Sequence, residues 1–230
     1  MLKVITLSRQ LGSDGDTIAS RAADALYLDL VDHSRLRRAA VVAGVSELAW
    51  AELETVGSGD LLDQLTRALR SVPPTPTAER EMGPIASNRA GPLDGIFAPP
   101  LPPAAIALAD SVHVVEQIVR HLADIGGVLI VGNGVQMILA HRPDVLHVSV
   151  IAPLDQRIAT IQQREGISTG EARRKVTAND RSCAEYLRRF YKAHWDDPLL
   201  YQLVLNTGQL SSEAAAAAIT AAAQATKRVA

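Results

Sequence analysis

Apolar positions along the chain follow two alternating rhythms. Short, nearly continuous apolar runs occupy 3–8, 127–134, 145–152 and 201–207, the pattern of strands buried on both faces. A shorter run at 26–32 predicts a further strand ending in Asp32. Between these runs, apolar residues recur at helical spacing over 17–26, 34–56, 60–69, 110–125, 154–165, 168–189 and from Ser211 onward. Boundary residues agree with the spacing. Asp110 and Ser168 are good N-caps, and Gly126-Gly127 ends a helix. Gly44 interrupts 34–56, with a fresh start at Ser46. Strands alternating with helices predict βαβ units and one parallel sheet covered on both faces.

Residues 73–103 break both rhythms. Nine of the twelve prolines fall there, and proline removes donors and locks φ, so the window predicts an irregular excursion without regular elements. The flanking halves read as parts of one sheet, which makes the window a loop within a single domain of 230 residues.

Composition narrows the function classes. A hydrophobic fraction of 47% with only 3% aromatics predicts a core of Ala, Val, Leu and Ile. Net charge of −2 gives no basis for bulk nucleic-acid or membrane-surface binding. The single Cys183 excludes an internal disulfide and a multi-cysteine metal site. His33, His113, His121, His141, His147 and His194 share no metal-like spacing. No run approaches a membrane span, and the first ten residues lack the core and cleavage site of a secretion signal, so a cytoplasmic protein is expected.

The candidate chemistry lies at Val4–Ala19, VITLSRQLGSDGDTIA: a strand, a glycine-bearing polar turn, then a helix. Such a turn aims backbone N–H groups and the positive helix end at an anion. Yet the loop has Gly12 and Gly15 without the lysine of G-x-x-x-x-G-K-[ST], and it carries Asp14 and Asp16.

With SRQLGSDGDTIA at the start, VLIVGNGVQMIL in the middle, and LHVSVIAPLDQRI, ANDRSCAEY and WDDPLLYQLVLNTGQLS later, the chain resembles the cytidylate kinase-like family, a bacterial branch of the P-loop nucleoside-monophosphate kinases. The resemblance covers 1–35 and 110–225. It implies a three-layer α/β fold of the P-loop NTPase type with a five-stranded parallel sheet. It also implies an ATP site at the first turn, an acceptor site fed by the 35–110 insertion, and a basic lid over 154–192.

Position by position, the family pattern S-R-E-x-G-S-G-G-R-E-I-A is met by Ser8, Arg9, Gly12, Ser13 and Gly15, while Asp14 replaces a glycine and Asp16 an arginine. Against the cytidylate kinase loop, Gly15 stands at the lysine and Thr17 at the terminal threonine. Asn133 replaces the arginine of Gly-Arg-Gly after the central strand. In the lid, Asp-x-x-Arg-x-x-Tyr becomes Asp180, Cys183 and Tyr186. The resemblance therefore implies a nucleotide site of Ser8, Arg9, Gly12, Ser13, Asp14, Gly15, Asp16, Thr17, Arg157 and Arg164. It implies Asp32, Arg35 and Asn133 on the acceptor side, and Arg9, Asp180 and Arg181 as catalytic groups. Asp16 and Thr17 are the candidate Mg²⁺ ligands.

Phosphoryl transfer is catalysed by positioning and charge neutralisation, and one lost charge-assisted donor typically removes ~10²–10³ in rate. A lysine and two arginines are missing together, leaving Arg9, Arg157, Arg164, Arg173, Arg174, Arg181 and Arg188 as substitutes. Three function classes follow. One is a nucleoside-monophosphate kinase using ATP and Mg²⁺, its activity impaired by the degenerate loop. The second is a nucleotide-binding pseudokinase acting through a protein partner or as a homodimer. The third is a kinase of another small molecule, with its acceptor under the proline-rich window. The first is the expectation, with Asp14→Gly plus Gly15→Lys expected to strengthen ATP binding.

Overall fold

The computed structural model describes residues 4–46, 49–51, 108–132 and 134–226. The predicted helix at 60–69, the irregular window at 73–103 and the candidate residue Asn133 lie outside these residues.

Five parallel strands form one sheet: β1 (Val4–Arg9), β2 (Asp29–Val31), β3 (Val128–Val131), β4 (Val145–Ile151) and β5 (Leu203–Asn206). Their order is β2-β3-β1-β4-β5. The parallel sheet with helices on both faces is the expected three-layer P-loop NTPase-type fold. The apolar run 127–132 is expected at the centre, between 3–8 and 146–151, but β4 pairs with β1 and not with β3, so β3 lies between β2 and β1 and β1 is the central strand.

Strand parity sorts the side chains. Ile5 and Leu7 of β1, with Leu146, Val148 and Val150 of β4, pack on Ile18, Ala19, Ala22 and Ala23 of α1 (Gly15–Leu26). The same core takes in Ala215, Ala216, Ile219 and Ala223 from the C-terminal helix Ser212–Thr226. Alanine on both helices lets them approach closely, which is how a core poor in aromatics is filled. The opposite sheet face carries α2 (His33–Val42), α3 (Leu108–Ile125) and the short α4 (Val135–Ile138), packed on Val4, Val128, Ile130 and Val145. Beyond β4, α5 (Leu154–Glu165) and α6 (Thr169–Tyr191) form a helical pair with their own small core of Ile158, Ile161, Ala172 and Val176. The C-terminal helix is α7.

Several boundaries shift for local reasons. The strand expected at 26–32 shrinks to Asp29–Val31 because Leu26 still belongs to α1 and Tyr27 caps it in the left-handed region (φ 55°). The interruption expected in 34–56 is present at Gly44 (φ 99°), and Ser46 makes the expected fresh start by accepting the Ala49 N–H at 3.1 Å. Asp110 lies inside α3, two residues past Leu108, and is not its cap. Ser168 forms the full reciprocal cap with Glu171.

Candidate functional site

The first turn is a loop pinned on three sides. Gln10 N–H donates to the Val150 carbonyl at 3.0 Å, and Gln10 Oε1 accepts Ala152 N–H at 3.0 Å. Ser13 Oγ donates to the Gln10 carbonyl at 2.7 Å, and Thr207 Oγ1 donates to the Ser13 carbonyl at 3.1 Å. The loop is thus fixed to the carboxyl ends of β4 and β5. Gly12 (φ 86°) could carry no side chain, since a Cβ there would stand 2.6 Å from the Arg157 carbonyl oxygen. Asp14 turns the chain at φ 60°, and α1 begins at Gly15, two residues earlier than the spacing predicted. As at any helix start, the first-turn N–H groups have no partner within the helix, and the Asp14 side chain does not cap them. They form the polar end of a dipole open to an anion.

Arg9 is the last residue of β1 and has the parity of Ile5 and Leu7, so it projects toward α1. Its Nε donates to Asp16 Oδ1 at 2.5 Å. A Cβ on Gly15 would stand 2.6 Å from Arg9 Cβ and 3.0 Å from its Cδ. That contact corrects the expected Gly15→Lys repair, because the Arg9 stem already fills the space into which a lysine would leave the backbone. Asp14 and Thr17 are exposed on the first turn.

The remaining candidates separate into those brought to the loop and those held elsewhere. Arg157 comes to the loop, but its guanidinium is 4% exposed and fully engaged. It donates to both carboxylate oxygens of Asp180 at 2.9 Å and to the Ala152 carbonyl at 3.1 Å. Arg157 and Asp180 therefore clamp α5 to α6 beside the loop. Arg164 lies seven residues further along α5, about 10 Å away along the axis, exposed beside Glu165. Arg181 is exposed and about 200° round α6 from Cys183, so it does not share the inward face. Cys183 does face inward, and burial and Asp180 push its thiol up to about 12, opposed by the nearby Arg9. A thiol held in that range is not a nucleophile at neutral pH.

On the acceptor side, Asp32 caps α2, accepting Arg35 N–H at 2.7 Å and Ser34 Oγ–H at 2.8 Å. The backbone bond is the main cause that holds its carboxyl below the usual range. Arg35 turns back to Asp29 at 2.8 Å and to the Leu30 carbonyl at 2.6 Å. Both side chains serve the β2–α2 joint. Among the described residues no cluster of acids, histidines or cysteines could hold a metal on its own.

Sequence reasoning missed a buried polar network on the other sheet face. Ser8, 1% exposed, accepts Trp195 Nε1–H at 3.0 Å. Tyr201 OH donates to the Trp195 carbonyl and accepts Gln136 Nε2–H, each at 3.2 Å. Gln136 Oε1 accepts Gly134 N–H at 3.0 Å. The network ties the end of β1 to the turn after β3 and to the return from α6. Its signal in the sequence was the polar Ser8 and Gln136 inside apolar runs. Ser8, expected in the nucleotide site, sits on this face and not on the α1 side. A cavity of about 570 Å³ lined by Arg142, Val145, Gln202 and Leu203 opens at the amino ends of β4 and β5, the opposite end of the sheet from the loop.

The geometry agrees with comparisons to known proteins. A solved structure of an uncharacterized protein from Eubacterium ventriosum superposes with a TM-score of 0.61 at 14% identity, covering 96% of this chain and 98% of that one, which speaks to the fold. A cytidylate kinase of Methanopyrus kandleri is 30% identical over 102 residues, 41% of this chain and 53% of that protein. A uronate isomerase of Corynebacterium glutamicum is 30% identical over 113 residues, 48% of this chain and 22% of that protein. The chain thus spans about half of one curated relative and about a fifth of the other. The model of the cytidylate kinase-like family matches residues 4–209, and the chain belongs to that family.

Proposed function

We propose that the loop 10–17 is a nucleotide-phosphate cradle and that the protein transfers the γ-phosphoryl group of ATP to CMP or a related nucleoside monophosphate, slowly. One observation supports this reading most. The strand–loop–helix at the carboxyl end of the central strand presents unpartnered first-turn N–H groups beside a cation, Arg9, with a bare Cα at Gly15 between them. An anionic phosphate fits that arrangement. The main chain of Gly12, Ser13, Asp14, Gly15, Asp16 and Thr17 would hold it. For Mg²⁺, the Thr17 hydroxyl is the donor on the same turn, with only the Oδ2 of Asp16 beside it, since Oδ1 is held by Arg9. A bound ion there would neutralise charge on the β- and γ-phosphates. The acceptor would lie beyond β2 and β3, beside α2 with its Asp32–Arg35 joint, with Asn133 as a further proposed contact.

The chemistry left to the side chains is modest. Arg157 and Asp180 are spent on each other and hold the lid helices at a fixed distance from the loop, without a free charge for the transferred group. Asp14 adds a negative charge that has no ion-pair partner among the described residues. These two features favour one second reading, a nucleotide-binding protein that acts through a partner without turnover.

Calorimetry with ATP and Mg²⁺, followed by a coupled assay over nucleoside monophosphates, separates the readings. The proposal expects weak but measurable ATP binding and turnover of CMP below about 1 s⁻¹, under the usual kinase range. ATP binding without any turnover supports the second reading. Absence of binding at millimolar ATP, or phosphorylation of a non-nucleotide acceptor alone, sinks the proposal.

A further inference from the structure

Taking the nucleotide loop above as its basis, we propose that Arg9 is the phosphate-binding cation of this protein, delivered from the end of β1 into the place that a loop lysine at position 15 would occupy. Gly15, which has no Cβ, is what makes room for it.

Four observations converge. Strand parity sends Arg9 to the α1 side, toward the helix start where the anion would sit. Its stem lies against the Gly15 Cα: an added Cβ would meet Arg9 Cβ at 2.6 Å, Cδ at 3.0 Å and Cγ at 3.3 Å. The first of these cannot be relieved by a rotamer change, because Cβ is fixed to the backbone. A side chain at 15 and an arginine at 9 therefore exclude each other. The charge of Arg9 also opposes the upward shift of the buried Cys183 thiol, at the lid position where the family pattern carries an arginine. Finally, Arg9 is bonded to Asp16 through Nε alone, and among the described residues no bond occupies its two terminal nitrogens. That edge of the fork is left for a second acceptor, and a phosphate oxygen matches it.

The lysine missing from the loop thus has its counterpart in Arg9. Asp16 holds Arg9 Nε and orients the fork, so its charge is a partner of the cation and not a bare repulsion against the phosphate.

The test uses the full chain, with melting temperatures confirming that each variant is folded. ATP with Mg²⁺ and, separately, inorganic tripolyphosphate are titrated into the wild type, Arg9→Gln, Gly15→Lys and the double variant Arg9→Gly/Gly15→Lys. Arg9→Gln is expected to weaken both ligands at least tenfold. Gly15→Lys alone should also lose binding, because its Cβ displaces Arg9. The double variant moves the cation back to the helix and should recover to within about threefold of the wild type, a rescue that a merely structural arginine would not give. If Arg9→Gln binds ATP as well as the wild type, the assignment of Arg9 falls while the ATP site stands. It also falls if the folded double variant binds no better than the singles. If the wild type binds tripolyphosphate through Arg9 but not ATP, Arg9 stands and the ATP site falls. Absence of binding of either ligand to the wild type overturns both.

Discussion

Asp14 sits at φ 60°, and its side chain makes no capping hydrogen bond to α1. A residue with a Cβ loses roughly 1–2 kcal/mol in the left-handed region, less for Asp than for most. Asp14→Gly should therefore stabilise the protein by about 0.5–1 kcal/mol, seen as a higher melting temperature. It should also tighten ATP binding by removing one negative charge from the helix start. A lower melting temperature would show that the carboxylate makes a stabilising contact. Gly134 is the opposite case. At φ 106° its Cα faces the Tyr186 ring, and an added Cβ would stand 2.7 Å from Tyr186 Cε1. Tyr186 is itself packed on Phe190 and Tyr191, with ring centroids at 5.1 and 5.9 Å, and cannot retreat. Gly134→Ala should cost about 2–3 kcal/mol in urea unfolding, part backbone strain and part overpacking. Adding Tyr186→Leu should return the steric part only. If Gly134→Ala alone is neutral, the ring does not seat on that glycine.

The α5–α6 pair is held by one buried ion pair. Arg157 has a side-chain exposure of 5% and Asp180 of 27%, so the carboxylate is partly screened by solvent. Removing one partner from a buried pair commonly costs 3–5 kcal/mol, while replacing both by apolar groups is near neutral. With that screening, Arg157→Met is expected to cost about 2–3 kcal/mol. Arg157→Met/Asp180→Leu should recover most of it, as read from denaturant midpoints. Gly12 rests on the Arg157 main chain and not on the guanidinium. ATP affinity should therefore change less than stability does. A large loss of ATP affinity in the folded double variant would return Arg157 to the nucleotide site. This pair also shows where the sequence stops being legible. β1 and β3 were readable as apolar runs, the end of α3 from Gly126-Gly127, and the start of α6 from Ser168. Local patterns write such features. The Arg157–Asp180 pair spans 23 residues and exists only because α5 and α6 fold back on each other. The neighbour order of β4 and β1 is likewise non-local, and α4, at four residues, is too short to show a period. Arg9 was visible as a candidate. Its relation to Gly15 was not, because it depends on how the loop folds the helix start back against the strand end.

At the scale of the whole molecule, the sheet carries a titratable group at its centre. His147 of β4 is 4% exposed on the face opposite α1. Its Nδ1 shares a hydrogen bond with Thr6 Oγ1 at 2.7 Å, and its Nε2 meets the Leu139 carbonyl only outside hydrogen-bond geometry. Burial pushes its pKa below the ordinary 6.5, and the Leu139 carbonyl only partly opposes the shift. The sign follows from which state takes up the proton. Above pH 6.5 the ring is neutral in both states and adds no pH dependence. Below it the unfolded chain binds a proton that the folded one refuses, so stability falls as pH drops, until the folded pKa is reached. The slope for one proton is at most about 1.4 kcal/mol per pH unit. Asp32, Glu171 and Glu213, whose folded pKa values are lowered, act in a different window. Their contribution is present above the unfolded carboxylate range and is lost as pH falls through their folded values, below about 4. Urea unfolding at pH 7.5, 6.5 and 5.5 therefore isolates the histidine. The wild type should lose stability between pH 6.5 and 5.5 while changing little between 7.5 and 6.5. His147→Gln keeps a polar group for Thr6 but cannot titrate, and should flatten that loss even if it is less stable throughout. An equal loss in His147→Gln would place the acid sensitivity elsewhere in the molecule.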